Sequence, residues 1–509
     1  MSEDREPAPH QVVVVGGGPV GLWTACELAL AGVRPLVLER AERRSPHSKA
    51  LGVHPRTIEV LAMRGRHEAF LAGGRPLPNW HFGMLDNRLD FRALPTPFPF
   101  MLAFPQSATE ELLERYAVES GAEVRRGHEV VSLIQDDTSV TLRVRGPAGT
   151  YEVVAEYVVG ADGTRSTVRR QAGVDFPGTD TSAYAYLGEV VLDSPPPAGF
   201  QALNEAGRLL VVPLPDGRYR VTGYDPLNQR RDPLTLDELR DAARRIAGTD
   251  FGMRDPSWLT RFGNATHLAA SYRAGRVLLA GDAAHSHFPA GGVGLNVGLQ
   301  DAMNLGWKLA AVAQGRAGSE LLDTYHAERH AVGEELAEHT LAQSALITGL
   351  TPDVTALRSL LSDAIADDPH FSRRLAGKLS GLDTAYPPAD AGAHPLTGVR
   401  AYDPEGLGVL PLLHDGRPVL LAMGDAPVPG EVAERAAAAG VAVHRSRLST
   451  TGGDHWAGVT AALLRPDGHV WWATERPAAT ADFAGETVKA LDALPARFRA
   501  GAIGARGGR

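Results

Sequence analysis

A run of four valines at residues 12–15 leads directly into a glycine loop, GGGPVG at residues 16–21. The run is too β-branched and too short for a surface helix, so it predicts a strand buried on both faces, as in a parallel sheet. Residues 22–31 have the composition of a helix, and a second short strand over residues 36–38 ends at Glu39. The chain therefore opens with a β-α-β unit, which restricts it to folds built on a parallel sheet.

The glycine spacing G-x-G-x-x-G within that unit is the fingerprint of a dinucleotide site. The first glycine allows a tight turn, the second lets the backbone approach a pyrophosphate at the helix N-terminus, and the third lets the helix pack closely on the strand. Glu39 is placed to accept hydrogen bonds from a ribose diol. The residues expected to contact the cofactor here are Gly16, Gly18, Pro19, Val20, Gly21, Glu39 and Arg40. The motif alone does not separate FAD from NAD, and a glycine-rich turn without a ligand is the alternative.

A second glycine-rich segment follows another predicted buried strand at residues 277–280. It begins with GDAAH at 281–285, and an Asp just past a strand end is well placed to bind ligand hydroxyls at the carboxyl edge of the sheet. The loop PAGGVGLN at 289–296 then leads toward a helix, whose free N–H groups would stabilise negative charge on a planar ring. The cofactor contacts expected from this segment are Asp282, Pro289, Gly292, Gly294, Leu295 and Asn296.

Two histidines in this segment, His285 and His287, invite interpretation as metal ligands. Alternate residues of an extended loop face opposite sides, and neither a cysteine nor a paired carboxylate completes a site. We therefore expect no metal. No Ser-His-Asp group or helical carboxylate pair is evident either, so we expect no catalytic side chain and a cofactor that carries the chemistry.

The remainder of the chain divides into further modules. A helix is predicted over residues 106–120, with strands near 129–134, 140–144 and 151–159, and a further helix over 300–314. Strands over 184–193, 208–213 and 218–224 are separated by Pro and Gly turns, which indicates a mostly antiparallel region. The Pro- and Ala-rich stretch at 387–392 predicts a linker to a third α/β module.

Composition excludes several classes of function. The charge of 51 Lys and Arg against 60 Asp and Glu is −9, which disfavours nucleic acids and anionic membranes as partners. The single cysteine, Cys26, rules out an intrachain disulfide and a CxxC centre and is typical of a reducing compartment. Every long apolar stretch is interrupted by charge, and the N-terminus lacks an apolar leader. We expect a cytoplasmic protein that neither crosses nor binds a membrane.

With these residues identified, the chain resembles the class A flavoprotein aromatic hydroxylases, the p-hydroxybenzoate hydroxylase-like group, and within it the aromatic polyketide hydroxylases. Three motifs carry the resemblance: GGGPVG with Glu39, the GADGTRSTVR segment at 160–169, and the GDAAH loop with QDAMNLGWKL at 300–309. Their order and spacing agree with the family over about residues 10–345.

The resemblance implies additional cofactor contacts. Asp162 and Gly163 would serve FAD binding and the transient docking of NADPH, and Gln106 would also contact the cofactor. Lys49 stands where relatives usually have Arg, so it keeps the charge for a pyrophosphate but lacks the planar fork. Val293 replaces the usual Gln in the glycine loop, which makes that loop more apolar.

The implied fold is α/β: a Rossmann-like FAD-binding domain, an inserted, mostly antiparallel β substrate domain, and a C-terminal thioredoxin-like α/β domain. The predicted boundaries are 1–177 and 271–390 for the FAD-binding domain, with 78–105 contributing to the substrate region, 178–270 for the substrate domain, and 395–509 for the C-terminal domain. The C-terminal domain has no cysteine, so we expect it to act in packing or dimer contact, in a monomer or a homodimer.

The implied activity is that of a monooxygenase in which FAD, reduced by NADPH (with NADH possible), reacts with O2 to a C4a-hydroperoxide and hydroxylates a polycyclic, polyketide-type aromatic substrate. The expected substrate contacts are Trp80, Phe82, Phe100, Tyr224, Phe288, Pro289 and Ala290. Ordinary core packing is the alternative for the apolar segments at 80–82 and 98–102. The alternative functions are a Baeyer–Villiger oxygenation of a polycyclic ketone, a flavin-dependent halogenase or reductase, and a non-catalytic flavin-binding scaffold.

Overall fold

The structure is a computed structural model that describes residues 9–388, 390, 392–403, 408–446, 454–478 and 480–498. Its largest sheet has eight strands, and Val12, Val13 and Val14 of its central strand are 0% exposed. Five parallel neighbours form the middle of this sheet, in the order Val277–Leu279, Gly149–Gly160, His10–Val15, Leu36–Glu39 and Glu123–Arg126. The outer strands are antiparallel: Arg273–Ala274, Glu129–Gln135 and Val140–Gly146. The first strand is thus the central one of the five parallel strands.

Helices pack against this sheet. Because Pro at the first helical position removes an N–H that would have no partner anyway, the helix Pro19–Leu30 begins directly at the glycine loop. The other helices before the C-terminal module are Pro55–Ala62, Glu68–Gly73, Gln106–Glu119, Thr167–Gln171, Leu236–Ala247, Gly294–Ala313, Leu321–Thr348, Pro352–Asp367 and Pro369–Ser380. The helix Gly294–Ala313 begins six residues before its predicted start at 300, so Leu295 and Asn296 lie in its first turn rather than in a loop.

The middle of the chain forms a separate five-stranded antiparallel sheet. Its strands, in spatial order, are Gln201–Asn204, Gly207–Pro213, Tyr219–Tyr224, Tyr184–Leu192 and Met253–Gly263. The helix Leu236–Ala247 covers one face, where it buries Leu209, Val211 and Val221. Since side chains alternate across a strand, the intervening residues face away from this helix.

Short strands connect these two sheets. Gly52–Val53, Met101–Ala103 and Arg75–Leu77 form one small sheet, Gly178–Thr179, Thr266–Leu268 and His285–Ser286 form another, and Asn79–Trp80 pairs with Leu89–Asp90. These small sheets thus pair segments that precede the antiparallel sheet in the chain with one another, or with segments that follow it.

The C-terminal module has a four-stranded mixed sheet in the order Ala442–Ser446, Val419–Met423, Ala461–Leu464 and Val470–Thr474, with helices Val409–Leu412, Gly430–Ala439 and Ala481–Asp492. One face of the sheet, with Leu420 and Leu463, packs under its own helices. The other face, with Leu421 and Leu464, belongs to the core of the large domain. The module is therefore part of one packed body.

A buried arginine of the large domain reinforces that contact. Arg64 donates to both carboxylate oxygens of Glu27 at 2.8 Å, and its other N–H groups bond to the carbonyls of Leu413 and Pro466. The predicted α/β fold with a parallel nucleotide-binding sheet is confirmed. The exact domain boundaries and the thioredoxin-like character of the last module stay predictions.

Candidate active site

The first and last glycines of the G-x-G-x-x-G loop pack tightly against neighbouring atoms, whereas the middle one borders an open space. Gly16 has φ +111°, and a Cβ there would lie 2.3 Å from the Ala161 carbonyl oxygen. A Cβ on Gly21 would lie 1.9 Å from the Gly16 oxygen, whereas one on Gly18 would meet no atom within 4 Å. The first and last glycines are thus required by packing, and the middle one borders open space at the start of a helix.

Glu39 lies beside this loop, at the end of the second strand. Its carboxylate accepts hydrogen bonds from the N–H groups of Gly17 at 2.6 Å and Ala41 at 2.8 Å. It also lines the cavity that opens above the loop, together with Arg40, Arg43 and Arg44. The carboxylate therefore fixes the loop while facing the cavity, and its bond to a ribose stays a prediction.

Pro19 and Val20 form the first turn of the helix and line the same cavity. Val20 also supports the second glycine-rich segment, because its Cγ2 lies 2.8 Å from where a Cβ of Gly281 would stand and 2.5 Å from that of Gly298. No side chain in the described ranges caps this helix, so its first N–H groups face the space beside Gly18. That is the geometry in which helix N-termini hold anions.

Asp162 has a local structural role. Its carboxylate accepts from the Ser166 hydroxyl at 2.5 Å and from the N–H of Thr167 at 2.6 Å, at the start of the helix Thr167–Gln171. Asp162 and Gly163 both line the cavity, and Gly163 has φ +81°. The cavity-facing backbone of this turn is thus held in place by the Asp162 side chain.

The GDAAH segment is anchored from beneath by Asp301. This buried carboxylate accepts from the Gly281 N–H at 3.0 Å, bonds to His285 Nε2 at 2.7 Å and accepts from Arg329 Nε at 2.7 Å. Burial alone would raise the pKa of Asp301, but the charges of Arg329 and His285 hold it below its ordinary value. Asp301 is therefore ionised at neutral pH. Next to this anchor, Asp282 is exposed to the cavity, with its Oδ2 3.5 Å from the Thr164 hydroxyl.

The Asn296 side chain, predicted to contact the cofactor, instead holds the loop that follows the GDAAH segment. The Asn296 amide accepts from the His54 N–H at 2.8 Å and donates to the carbonyls of Gly52 and Gly292, so this buried side chain does not face the cavity. Four of the predicted loop residues do line it: Pro289, Gly292, Gly294 and Leu295. Since the helix begins at Gly294, its first N–H groups lack partners within the helix and point toward this end of the cavity.

His54 and Trp80 hold the same loop from the other side. The Gly291 carbonyl accepts from Trp80 Nε1 at 2.9 Å and bonds to His54 Nε2 at 3.1 Å. Burial lowers the pKa of His54 to about 4, so the ring is neutral at physiological pH. A carbonyl oxygen only accepts, which places the proton of the neutral ring on Nε2. His54 could not be identified from the sequence, because no motif marks it.

The two remaining predicted cofactor residues also lie at the cavity. Gln106 accepts from the Ala50 N–H at 3.1 Å and donates to Glu110 at 2.8 Å. Lys49 is exposed, and among the described residues its ammonium has no carboxylate within 4.0 Å. A positive charge is therefore available at the wall of the cavity that the glycine loop also lines.

The antiparallel sheet supplies a wall that the sequence did not reveal. Leu210, Val212, Arg220 and Thr222, on the face opposite the covering helix, line the cavity, as does Trp258. The Trp258 ring stacks on His47 at 5.1 Å between centroids. The available signal was the alternation within 208–213 and 218–224, which places polar residues on one face of an otherwise apolar sheet.

The predicted substrate residues divide into two groups. Trp80 and Pro289 line the cavity. The others do not: Phe82, Phe100, Tyr224, Phe288 and Ala290. Phe288 is 4% exposed and packs in a core cluster with Ala290, 5.6 Å between ring centroids from Phe262. Phe82 packs in another core cluster, between the helices near His339, and Phe100 packs against Phe98. Phe82 and Phe288 are therefore core residues, because burial of large rings stabilises the fold wherever they lie. Phe100 is half-buried, and His81 and Met101, from the segments at 80–82 and 98–102, line the cavity, so core packing describes only part of those two segments.

The cavity has a volume of about 1470 Å³ and runs from the glycine loop to the antiparallel sheet. Sites for a single drug-sized ligand are typically about 300–1000 Å³. This space is therefore large enough for a dinucleotide and a second, sizeable molecule. Within the described residues, no three His, Cys, Asp or Glu side chains come together as a metal site, and no helix is long and apolar enough to cross a bilayer.

Comparison with known proteins gives two family matches. Residues 9–340 match the model of the FAD binding domain, and residues 394–493 match that of the aromatic-ring hydroxylase C-terminal domain. A 12-dehydrotetracycline 5-monooxygenase/anhydrotetracycline 6-monooxygenase of Streptomyces rimosus is 43% identical over 495 residues, which cover 91% of this chain and 95% of the relative.

Solved structures agree with these matches over nearly the whole chain. The anhydrotetracycline hydroxylase from Streptomyces rimosus superposes with a TM-score of 0.87 at 42% identity, covering 96% of this chain and 100% of that one. A ternary complex of aklavinone-11 hydroxylase with FAD and aklavinone superposes with a TM-score of 0.76 at 28% identity, covering 96% and 99%.

Proposed function

The chain belongs to the family of FAD-dependent aromatic-ring hydroxylases, and from this premise we propose that it inserts one atom of O2 into a ring carbon of a polycyclic, polyketide-type phenol, with NADPH as the reductant. The overall reaction balances as substrate, O2, NADPH and a proton giving hydroxylated substrate, water and NADP+. Monooxygenase chemistry of aromatic polyketide-type substrates follows from the family. The reductant and the identity of the substrate are the proposed parts.

The residues at the cavity suit FAD as the resident cofactor. The space beside Gly18 and the uncapped helix N-terminus would accept a pyrophosphate, with Lys49 as a countercharge. Glu39 would receive the adenosine ribose, and Asp282 would receive hydroxyls of the ribityl chain. When bound, FAD supplies the activation of O2 and the transfer of one oxygen atom.

The protein's own groups would position and shield that chemistry. The N–H groups at the start of the helix Gly294–Ala313 would stabilise negative charge on the flavin ring. The Asp301 anchor holds the GDAAH segment, and the two residues bonded to the Gly291 carbonyl, His54 and Trp80, hold the loop that follows it. Trp80, Leu210 and Val212 give the adjacent wall apolar surface, which would exclude water from the reacting atoms.

One observation supports a large, flat substrate above the others: a single cavity of about 1470 Å³ is shared by the nucleotide-binding loops and the antiparallel sheet. A site for FAD and a single-ring acid would not need this space. Only one G-x-G-x-x-G with β-α-β context occurs in the sequence, so NADPH would dock transiently rather than in a domain of its own, and NADH remains an alternative reductant.

The proposal is tested by turnover in labelled dioxygen. The FAD-loaded enzyme is incubated with NADPH, ¹⁸O2 and a panel of anhydrotetracycline, aklavinone, 4-hydroxybenzoate and polycyclic ketones. The masses of the products are then determined by mass spectrometry. We expect a polycyclic phenol to gain one labelled oxygen on a ring carbon, and Asp282→Ala to lose this activity in parallel with its FAD.

The other outcomes discriminate between the alternatives. Label in a new ester or lactone would assign Baeyer–Villiger chemistry, and turnover confined to 4-hydroxybenzoate would contradict the polycyclic substrate. A protein that binds FAD but consumes no NADPH with any compound of the panel would be a flavin-binding scaffold.

A further inference from the structure

The substrate end of the cavity contains a guanidinium without an adjacent carboxylate. Arg88 lines the cavity beside Trp80 and His81. Its Nη2 donates to the Gln201 side-chain oxygen at 3.4 Å, and among the described residues no carboxylate lies within 4.0 Å of it. Within the described part of the chain this half-buried arginine has one long hydrogen bond, so the other N–H donors of its planar guanidinium are unused.

Two more arginines are buried close behind this wall. Arg208 and Arg358, 2% and 6% exposed, both donate to the Met84 carbonyl, at 3.1 and 2.6 Å. Arg358 also donates to the carbonyls of Gly83 and Leu346, and Arg208 to that of Ile347. All of these acceptors are neutral, so neither buried charge is neutralised by its hydrogen bonds.

The register of the antiparallel sheet points Arg208 toward the cavity side. Leu209 and Val211 pack under the covering helix, whereas Leu210 and Val212 line the cavity. Arg208 alternates with the first pair and therefore shares the face of the second. Its Nη2 is buried and has no hydrogen-bond partner among the residues that the structure describes.

The local charges leave this end of the cavity positive. Asp86 is the carboxylate that acts on Arg88, Arg208 and Arg358, and it is exposed, joined to Arg88 only through Gln201. Burial, together with Arg358, lowers the pKa of Arg208 to about 9, which still leaves it charged at neutral pH. Burial and the charge of Arg88 lower the pKa of His81 to about 3, so it adds no charge of its own. Three cations thus share one solvent-facing carboxylate.

We propose that Arg88, with Arg208 and Arg358 behind it, selects the ionised form of the substrate, a phenolate or enolate oxygen on the polycyclic ring system. The inference rests on the proposed function, in that the substrate occupies this end of the cavity. An anionic oxygen would supply the missing countercharge and accept from the free donors of Arg88. A neutral ring of the same size would bury the arginines without compensation.

Two matched probes test this without turnover. At pH 7, 2-hydroxy-1,4-naphthoquinone is an ionised enolate, and 2-methoxy-1,4-naphthoquinone is neutral with nearly the same shape. Their dissociation constants are measured with the FAD-loaded protein by calorimetry, in the absence of NADPH. We expect the hydroxy compound to bind at least about tenfold more tightly, because hydrogen bonds to charged groups contribute that much.

Variants at Arg88 assign the preference to this residue. Arg88→Gln should weaken binding of the hydroxy probe about tenfold or more and leave the methoxy probe within about threefold, whereas Arg88→Lys should keep part of the preference. Arg92→Gln, an exposed arginine of the same segment paired with Asp90, is the control and should change neither.

The proposal is overturned if the wild-type protein does not prefer the hydroxy probe, whether both bind alike or neither binds. It is also overturned if Arg88→Gln weakens the binding of both probes equally, because Arg88 would then contribute to the shape of the site and not to recognition of the negative charge. Because no oxygen transfer is measured, these results are independent of the labelled-dioxygen experiment.

Discussion

The Glu39 carboxylate accepts a hydrogen bond from the Gly17 N–H at 2.6 Å, so the end of the second strand holds the middle of the glycine loop directly. The other carboxylate oxygen accepts from the Ala41 N–H at 2.8 Å. Both oxygens of one side chain are therefore engaged by backbone donors beside the cavity. A neutral residue of the same shape would satisfy only one of them.

We expect Glu39→Gln to weaken FAD binding about tenfold or more, because its amide NH2 would face a backbone N–H and the charge toward the ribose would be lost. The affinity is measured by quenching of flavin fluorescence as FAD is added to the apoprotein. Glu42→Gln, on an exposed neighbour, is the control. Equal affinities of the wild type and Glu39→Gln would remove Glu39 from the cofactor site.

Alanine substitutions at two glycines of the same loop should have different effects, one on FAD affinity and the other on the stability of the apoprotein. Gly18→Ala adds a methyl group into open space at φ −80°, so the apoprotein should keep its melting temperature while FAD affinity falls by at least tenfold. Gly21→Ala places a methyl group 1.9 Å from the Gly16 oxygen, so it should destabilise the apoprotein itself. Melting curves without FAD, followed by FAD titration, separate the two effects. A Gly18→Ala apoprotein that melts early would contradict the geometry.

Asp282→Ala should weaken FAD binding by more than tenfold, because the loss of a charged hydrogen bond costs about 1.5–3 kcal/mol. The Asp301 anchor beneath it is independent of the Asp282 side chain, so the fold should be unaffected. Flavin content after purification and FAD titration provide the measurement. Asp137→Ala, an exposed aspartate elsewhere, is the control, and full occupancy in Asp282→Ala would exclude that residue from the site.

Lowering the pH should destabilise the protein over a pH range set by the buried His54. Burial lowers the pKa of His54 to about 4 from the ordinary 6.5, so between these values the unfolded chain binds a proton that the folded chain does not. Stability from this group is complete above pH 6.5 and falls by about 1.4 kcal/mol per pH unit as the pH drops toward 4. His54→Gln should therefore flatten the dependence of the unfolding free energy on pH by about one proton. Urea unfolding at several pH values tests this, and parallel curves for the two proteins would contradict it.

Breaking the Glu27–Arg64 pair should cost far more than breaking a surface pair. Both of its side chains are buried, and Arg64→Met leaves the carboxylate without its bidentate partner, so we expect a loss of about 3–5 kcal/mol. The exposed pair Arg145–Glu129 gives the control, in which Arg145→Met should cost about 0–1 kcal/mol. Urea denaturation measures both. A small effect of Arg64→Met would mean that water replaces the lost partner.

The parallel sheet was predictable because its signals are local. Four consecutive valines, a glycine loop and Glu39 follow one another within a single β-α-β unit, and the structure places the first strand at the centre of the sheet. The helix start at Gly294 was misplaced by six residues, because glycines there resemble a loop although the backbone is helical. Asn296 likewise points into the protein, where it holds Gly52 and Gly292.

The cavity wall that we propose receives the substrate was much less predictable. Aromatic residues such as Phe82 and Phe288 were attractive candidates, but a large ring is stabilised equally by any apolar surroundings, and these two lie in the core. The residues that do form the wall, Arg88, Arg220 and Trp258, come from three segments that only the tertiary fold brings together. Polar residues alternating with apolar ones in a strand were the usable signal.

The hydrogen bonds from Arg56 and Arg64 to the C-terminal module matter for chimaeras made from this chain and its relatives. Arg56 donates to the Asp467 carbonyl and Arg64 to that of Pro466, so the module closes directly over the helix that begins one residue after His54. A crossover near 387–392, where the sequence predicts a linker and where residues 389 and 391 lie outside the described residues, would exchange the tail that carries the acceptors while retaining the donors. Because both acceptors are backbone carbonyls, a chimaera keeps these bonds only where the new tail places its main chain in the same position, and we expect the best retention when the Pro55–Ala62 helix and Arg64 come from the same parent as the tail, 411 and 402 residues away in the sequence.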